Sequence, residues 1–327
     1  MLASFFYRLE IVEKREFFAF MSKKIKTLNN WDFLVALSNR RLSVQNANTF
    51  YKLDWSIDRI TIVGELSYDL DILGNYLVKR GFAKESYSGF NLVDRYDENI
   101  AYFEMVKFHD GKGRIDFNPN KLGTLIDSDI KGFIHEIFIE PHFSRADVAC
   151  DIYNLPDDLV KQYRLADAVS YRPIYGRSGN LETMYWGSQA SERQVRLYNK
   201  YIEQGRKKQY IHDDIKSWWR LEVQLRRSKA SEWNSILNET LENFCAPEFF
   251  PPDWSGVDKV MITGLQNNHD LWNQIGRTSK YKYKKMIKEI AKHDELTIEL
   301  KKSFVEYQST LKDELDSWLR GIDVTED

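Results

Sequence analysis

The 327-residue chain carries 47 Lys+Arg against 49 Asp+Glu, 43% hydrophobic residues and a mean hydropathy of -0.53. Its length suggests about two domains as a soft prior. It lacks the long uncharged apolar run of a membrane span, and 16 Gly with 7 Pro exclude a collagen-like or linker-dominated chain. Taken whole, a formal charge of -2 argues against a nucleic-acid partner, although a sum says nothing of distribution.

The N-terminal twenty residues open apolar but are soon interrupted by Arg8, Glu10, Glu13 and Lys14. That pattern predicts an amphipathic helix rather than a signal peptide. Met21 offers an alternative start. Two cysteines, Cys150 and Cys245, are too few for a disulfide framework and lack zinc-ligand spacing, so a reducing, cytoplasmic location is expected.

Residues 57–63 read as a strand, 67–81 as a helix, and 91–95, 101–108 and 113–118 as strands. A similar order follows: strand 145–153, helix 155–169, and strands near 183–187, 193–201 and 217–226. Two passes through strand, helix and several strands predict a duplicated α+β unit. Helices are expected at 257–275 and 279–293, with Ser or Thr as the cap between them. In the last helix Leu296, Leu300, Phe304, Tyr307, Leu311, Leu315 and Trp318 keep a helical period. That stripe reads as packing within a small C-terminal helical domain, or as a dimer contact. The expected fold class is therefore α+β: a duplicated antiparallel-sheet domain with helices on one face, plus a small all-helical C-terminal domain. The boundaries read as a mostly helical extension at 1–50, an α+β domain of two similar halves at 51–245 and a helical domain at 246–327.

Three strands carry polar alternation. Alternate side chains share a face, which groups Arg145, Asp147, Asp151 and Tyr153 on the first strand. The second contributes Arg196, Tyr198 and Lys200, and the third Arg220, Glu222, Gln224 and Arg226. If the strands share a sheet, Asp147, Asp151 and Glu222 make an oxygen-rich site suited to Mg²⁺ or Mn²⁺. Arg and Lys nearby can hold a phosphodiester, and a tyrosine can act as nucleophile. The plain alternative is a solvated sheet face laced with Arg–carboxylate pairs. The six histidines show no ligand spacing and receive no role.

Charge is unevenly spread. Residues 193–229 hold eleven basic and four acidic residues, a net of +7, and residues 277–292 hold seven and one, a net of +6. The rest of the chain therefore carries -15. Two basic blocks on an acidic body suit phosphate binding, with Arg277, Lys280, Lys282, Lys284, Lys285 and Lys288 as the candidate DNA contacts of the second. A solvated Lys-rich helix face is the alternative reading.

RADVACD at 145–151, TMYWGSQASERQVRLYNKYIEQGRK at 183–207 and RLEVQLR at 220–226 together resemble the replication initiation factor family. RIDFNPNKL at 114–122 is similar to that family's Asn-Pro-Asn strand end, and LWNQIGRTSKYKYKKMIKEI to its basic C-terminal region. The resemblance implies a site-specific DNA nicking-closing enzyme that initiates rolling-circle plasmid replication. Tyr198 would form a 5′-phosphotyrosyl bond at the origin. Asp147, Asp151 and Glu222 would hold Mg²⁺ or Mn²⁺, while Arg196, Lys200 and Arg220 would stabilise phosphate charge. It also implies origin DNA, a host UvrD/PcrA-type helicase and a second copy of the chain as partners. Tyr153, Tyr185 and Tyr201 remain alternative nucleophiles. A conjugative relaxase, or a homologue that binds DNA without cutting it, are the alternative functions.

Overall fold

The computed structural model describes residues 52–320, except 95, 107–110, 123, 167, 169, 247–249, 269 and 293. Two compact units divide the chain at Ser43/Val44, and everything described lies in the second. The expectations for the N-terminal extension and for Met21 lie outside the described residues.

The first half begins with β1 (Lys52–Leu66) and α1 (Leu70–Lys79), and continues through β2 (Ala83–Ser86), β3 (Gly89–Val93), β4 (Asn99–Met105) and β5 (Lys112–Phe117). Asp69 caps α1 by accepting the Ile72 N–H at 3.1 Å. After a 3₁₀ turn at Pro119–Lys121, α2 (Thr124–Ile137) leads into the second half. That half runs through β6 (Phe138–Tyr153), α3 (Asp157–Val160), β7 (Arg164–Leu165), β8 (Tyr171–Tyr175), β9 (Leu181–Trp186) and β10 (Arg193–Asn199). It closes with α4 (Lys200–Arg206) and β11 (Trp218–Arg226). Then come α5 (Ser228–Ser231), α6 (Trp233–Glu242), β12 (Phe244–Cys245), α7 (Gly256–Asn267), α8 (Leu271–Gln274), α9 (Arg277–Ala291) and α10 (Glu295–Leu319).

Among the described residues one ten-stranded sheet runs in the order β2-β3-β4-β5-β1-β6-β11-β10-β9-β8. Every pairing in it is antiparallel. Outward from the centre, β1-β5-β4-β3-β2 is matched by β6-β11-β10-β9-β8, so the two halves repeat one topology about the β1·β6 seam. The expected duplication is therefore present as topology, without needing sequence identity. β1 and β6 are long because each crosses the whole seam, with register shifts in β1 at Ile57/Arg59, Thr61/Ile62 and Val63/Glu65.

Helices cover one face. Ile60, Ile62, Phe103, Ile115, Val148, Ile152, Leu221 and Val223 are buried in the main core against α1, α2, α6 and α10. The stripe of α10 lies in this core: Trp55 meets Phe304 at 5.2 Å, Phe117 meets Trp318 at 4.7 Å, and Trp55 Nε1 donates to Ser303 Oγ at 3.2 Å. The last helix thus buries its stripe on the central sheet. A second, smaller core joins α7, α8 and α9 through Ile262, Leu265, Trp272, Tyr283, Ile287 and Ile290.

Other elements depart from expectation for local reasons. The helix expected at 155–169 stops at Val160, because β7 pairs with β12 and the Ala166 N–H donates to the Asn243 carbonyl at 2.8 Å. The strand expected to reach 201 ends at Asn199, whose side chain accepts the Ile202 N–H at 2.9 Å and starts α4. The helix expected at 257–275 is broken into α7 and α8, and Gly276, not a Ser or Thr, occupies the N-cap of α9.

Candidate active site

Strands β6, β11 and β10 are neighbours, so the polar residues of all three gather on the face opposite the helices. Register fixes the rows: Arg220 lies opposite Asp151 and Tyr198, Glu222 opposite Ala149 and Arg196, and Gln224 opposite Asp147. The register shift between Ile57 and Arg59 lets β1 add Asp58 to the same face.

Tyr198 is 6% exposed. Lys200, displaced from the strand into the first turn of α4, donates from Nζ to the Tyr198 hydroxyl at 3.3 Å and pairs with Glu203 at 2.6 Å. The Arg196 guanidinium lies 4.0 Å from the Tyr198 ring centroid. Burial drives the phenol well above its ordinary range, opposed by Arg220 and Arg196 and reinforced by Glu222. Burial and Arg220 lower the Lys200 ammonium, which Glu203 counteracts. Glu203 is itself held down at about 2 by Lys200 and Lys207, against burial. Tyr201, in contrast, is an exposed helix residue.

Arg220, 5% exposed, is the hub. Its Nε and Nη2 donate to Asp151 at 2.7 and 2.6 Å and its Nη1 to Asp58 at 2.5 Å. Asp151 also accepts from Trp218 Nε1 at 2.7 Å. Glu222 accepts from Arg196 Nη2 at 2.5 Å and from the Gln224 amide. Asp147 is gripped by Arg145, with contacts of 2.9 Å and 2.5 Å. Burial still raises Asp147 to about 6, with Arg145 opposing. Asp58 is likewise raised by burial, with Arg220 opposing and Glu222 adding to it.

The expected carboxylates share the face but do not make one coordination sphere. Asp147 and Asp151 are four residues apart along a strand, about 13 Å at ~3.3 Å per residue. Each of the three carboxylates is engaged through both oxygens by N–H donors. Among the described residues no group of three His, Cys, Asp or Glu is arranged to hold an ion. As arranged, this set does not fit a metal, and the face consists of arginine–carboxylate pairs around a tyrosine. Asp58 and Glu203 belong to the site without having been expected, and Gln224, expected on this face, holds Glu222. A strand bulge, which alternation does not reveal, brings in Asp58, and a helix that begins one residue after Asn199 brings in Glu203.

The second basic block forms α9. Tyr283, Ile287 and Ile290 turn inward, while Arg277, Lys282, Lys284, Lys285 and Lys288 are exposed and Lys280 is half-buried. Lys282 pairs with Asp258 at 2.6 Å, and Lys284 lies 5.9 Å from the Trp272 ring. The block is therefore one face of an amphipathic helix, as its spacing implies.

The replication initiation factor family matches residues 141–246, from β6 to the end of the second half. A replication initiation protein of Staphylococcus aureus is 34% identical over 321 residues, covering 90% of this chain and 94% of that protein. The chain belongs to the replication initiation factor family. Two further Staphylococcus aureus replication initiation proteins match at 33% and 34% identity, each over 63% of this chain and 64% of the relative. A solved rolling circle replication initiator protein from Geobacillus stearothermophilus shares 17% identity, with a TM-score of 0.43, over 64% of this chain and 91% of that one. The family match covers β6, β10 and β11, which hold every residue of the tyrosine site except Asp58 from β1 and the Lys200 and Glu203 pair from α4. No described helix is long and apolar enough to cross a membrane.

Proposed function

We propose that the protein initiates rolling-circle plasmid replication by nicking one strand of its origin through Tyr198, and later rejoins it. The observation that supports this most is a buried phenol ringed by Lys200 of α4 and by Arg196 and Arg220 of the strands, all within the family-matched segment. The Tyr198 O–H gives up its proton to water as its oxygen attacks the scissile phosphorus. A tyrosine O–P bond forms, the P–O3′ bond breaks, and the 3′ oxygen leaves as a hydroxyl once protonated. The strand's 5′ phosphate remains on the enzyme, and the retained ester energy allows rejoining without a nucleotide cofactor. Lys200, 3.3 Å from the hydroxyl, stabilises the developing phenolate, and Arg196 and Arg220 face the phosphate charge. Because Arg196 covers the Tyr198 ring, DNA entry requires that guanidinium to swing onto the substrate.

The exposed basic face of α9 is the surface we assign to duplex origin DNA. A helicase of the UvrD/PcrA type and a second copy of the chain are the expected partners. Sedimentation of the full chain, alone and with such a helicase, tests both. Mg²⁺ or Mn²⁺ dependence would require an arginine to release at least one of Asp147, Asp151 and Glu222. The test of the function is nicking of supercoiled DNA bearing the cognate origin, with each ion or with chelator. Wild type should convert it to open circles and Tyr198→Phe should not. Equal conversion by both would remove Tyr198 as the nucleophile.

A further inference from the structure

The polar face does not stop at Tyr198. Beyond β10 it continues across β9, where Tyr185 lies opposite both Arg196 and Arg172, to β8, the edge strand among the described residues. The Arg172 guanidinium sits 4.9 Å from the Tyr185 ring centroid. Arg196 in turn lies across the strand pair from Tyr185 and 4.0 Å from the Tyr198 ring. Arg172, Tyr185, Arg196 and Tyr198 thus alternate cation and ring from the sheet edge to the nucleophile. Arg172 is exposed and Tyr185 half-buried, and Ile174 and Tyr175 are exposed at the edge.

The opposite flank has a different character. From Tyr198 toward the central seam, the face carries Glu222, Asp151, Asp58, Asp147 and Asp116, each already paired to an arginine. A phosphate backbone approaching over that flank would meet a carboxylate at every arginine; of the two arginines on the β10–β8 side, Arg196 must release Glu222 to take a phosphate, whereas Arg172 faces only a ring. Toward β8, Arg172 has no carboxylate opposite it, and its cross-strand partner is a ring. Flat π-faces interleaved with guanidinium groups suit unpaired nucleotides: every base can stack, and each phosphate finds a cation. A duplex, whose bases are already stacked, gains nothing from the rings.

We propose that this Arg172–Tyr185–Arg196 ladder is the track for the single strand adjoining the scissile phosphate, which runs from Tyr198 out over the β8 edge. The proposal rests on Tyr198 being the nucleophile only for the end of the track, because strand binding can be measured without cleavage. In the full chain carrying Tyr198→Phe, fluorescence anisotropy would follow a labelled oligothymidylate and, separately, duplex origin DNA. Arg172→Ala and Tyr185→Ala should each weaken oligothymidylate binding roughly ten-fold, the loss expected for one stacked base. Tyr185→Phe should keep most of the affinity, and duplex binding should be unchanged in all three. Arg172 is exposed on an edge strand, so its variant will fold even if Tyr185→Ala does not. Unchanged oligothymidylate affinity in folded Arg172→Ala would overturn the track, as would equal losses for duplex and single strand. Cleavage by the Tyr198→Phe protein would sink the nucleophile assignment and leave the track standing.

Discussion

Replacing Arg220 with Met tests the electrostatic framework of the site most severely. The substitution leaves Asp151, buried, and Asp58, largely buried, without the guanidinium that holds both at 2.5–2.7 Å. Removing one member of a buried ion pair costs about 3–5 kcal/mol, because the surviving charge stays desolvated. Against a typical total of about 5–15 kcal/mol, that is a large share. Urea unfolding followed by circular dichroism should show the midpoint falling with little change in slope. Combining Arg220→Met with Asp151→Leu removes a stranded carboxylate and should recover part of the loss, since apolar replacements of buried pairs are often near neutral. A single variant within about 1 kcal/mol of wild type, or a double variant no better than the single, would refute the view of Arg220 as the hub.

Four further outcomes follow from the same geometry. The folded pKa of Asp147, raised from 3.8 to about 6, means its contribution is fully present below pH 4 and lost as pH rises through 6. Wild-type stability should fall by up to roughly 3 kcal/mol across that window, and Asp147→Asn should flatten the fall in pH-dependent urea titrations. Because burial raises the Tyr198 phenol above its ordinary range, nicking rates should go on climbing beyond pH ~10, where an ordinary phenol levels off; a plateau there would contradict the raised phenol. Gly187, at φ 85° in the β9–β10 hairpin, would place a Cβ 2.7 Å from the Arg193 carbonyl, so Gly187→Ala should lower the thermal midpoint by an amount corresponding to at least ~1 kcal/mol. Neutralising Lys282, Lys284 and Lys285 should reduce the salt slope of duplex binding by ~0.9 for each phosphate left without its lysine, and an unchanged slope would mark α9 as a solvated face.

The sequence made much of this visible. Period-2 alternation in 145–153, 193–199 and 218–226 predicted that Asp147, Tyr198, Arg220 and Glu222 would share a face, because strand geometry leaves no other choice once the strands are neighbours. Helical spacing alone found the α10 stripe, but not its target: a 3.6-residue period says that a face is buried and not against what. Alternation is equally blind to the bulge that adds Asp58 and to the capping by Asn199 that moves Lys200 off the strand. It also does not distinguish a carboxylate that binds a cation from one that answers an arginine. That choice depends on which side chain lies across the ladder, as Arg196 lies across from Glu222 and Arg220 across from Asp151. The whole-chain charge was the least informative number, since +13 of it sits in two blocks, one supplying Arg196, Lys200 and Arg220 and the other the basic face of α9.

The most direct test of the central claim is the identity of the residue esterified to DNA. Full-length protein would be reacted with an origin oligonucleotide, digested with nuclease and protease, and the nucleotide-bearing peptide sequenced by mass spectrometry. The tyrosine mechanism predicts a single modified peptide with the 5′ phosphate on Tyr198. Modification at Tyr153, Tyr185 or Tyr201, or strand cleavage with no covalent peptide, would contradict it.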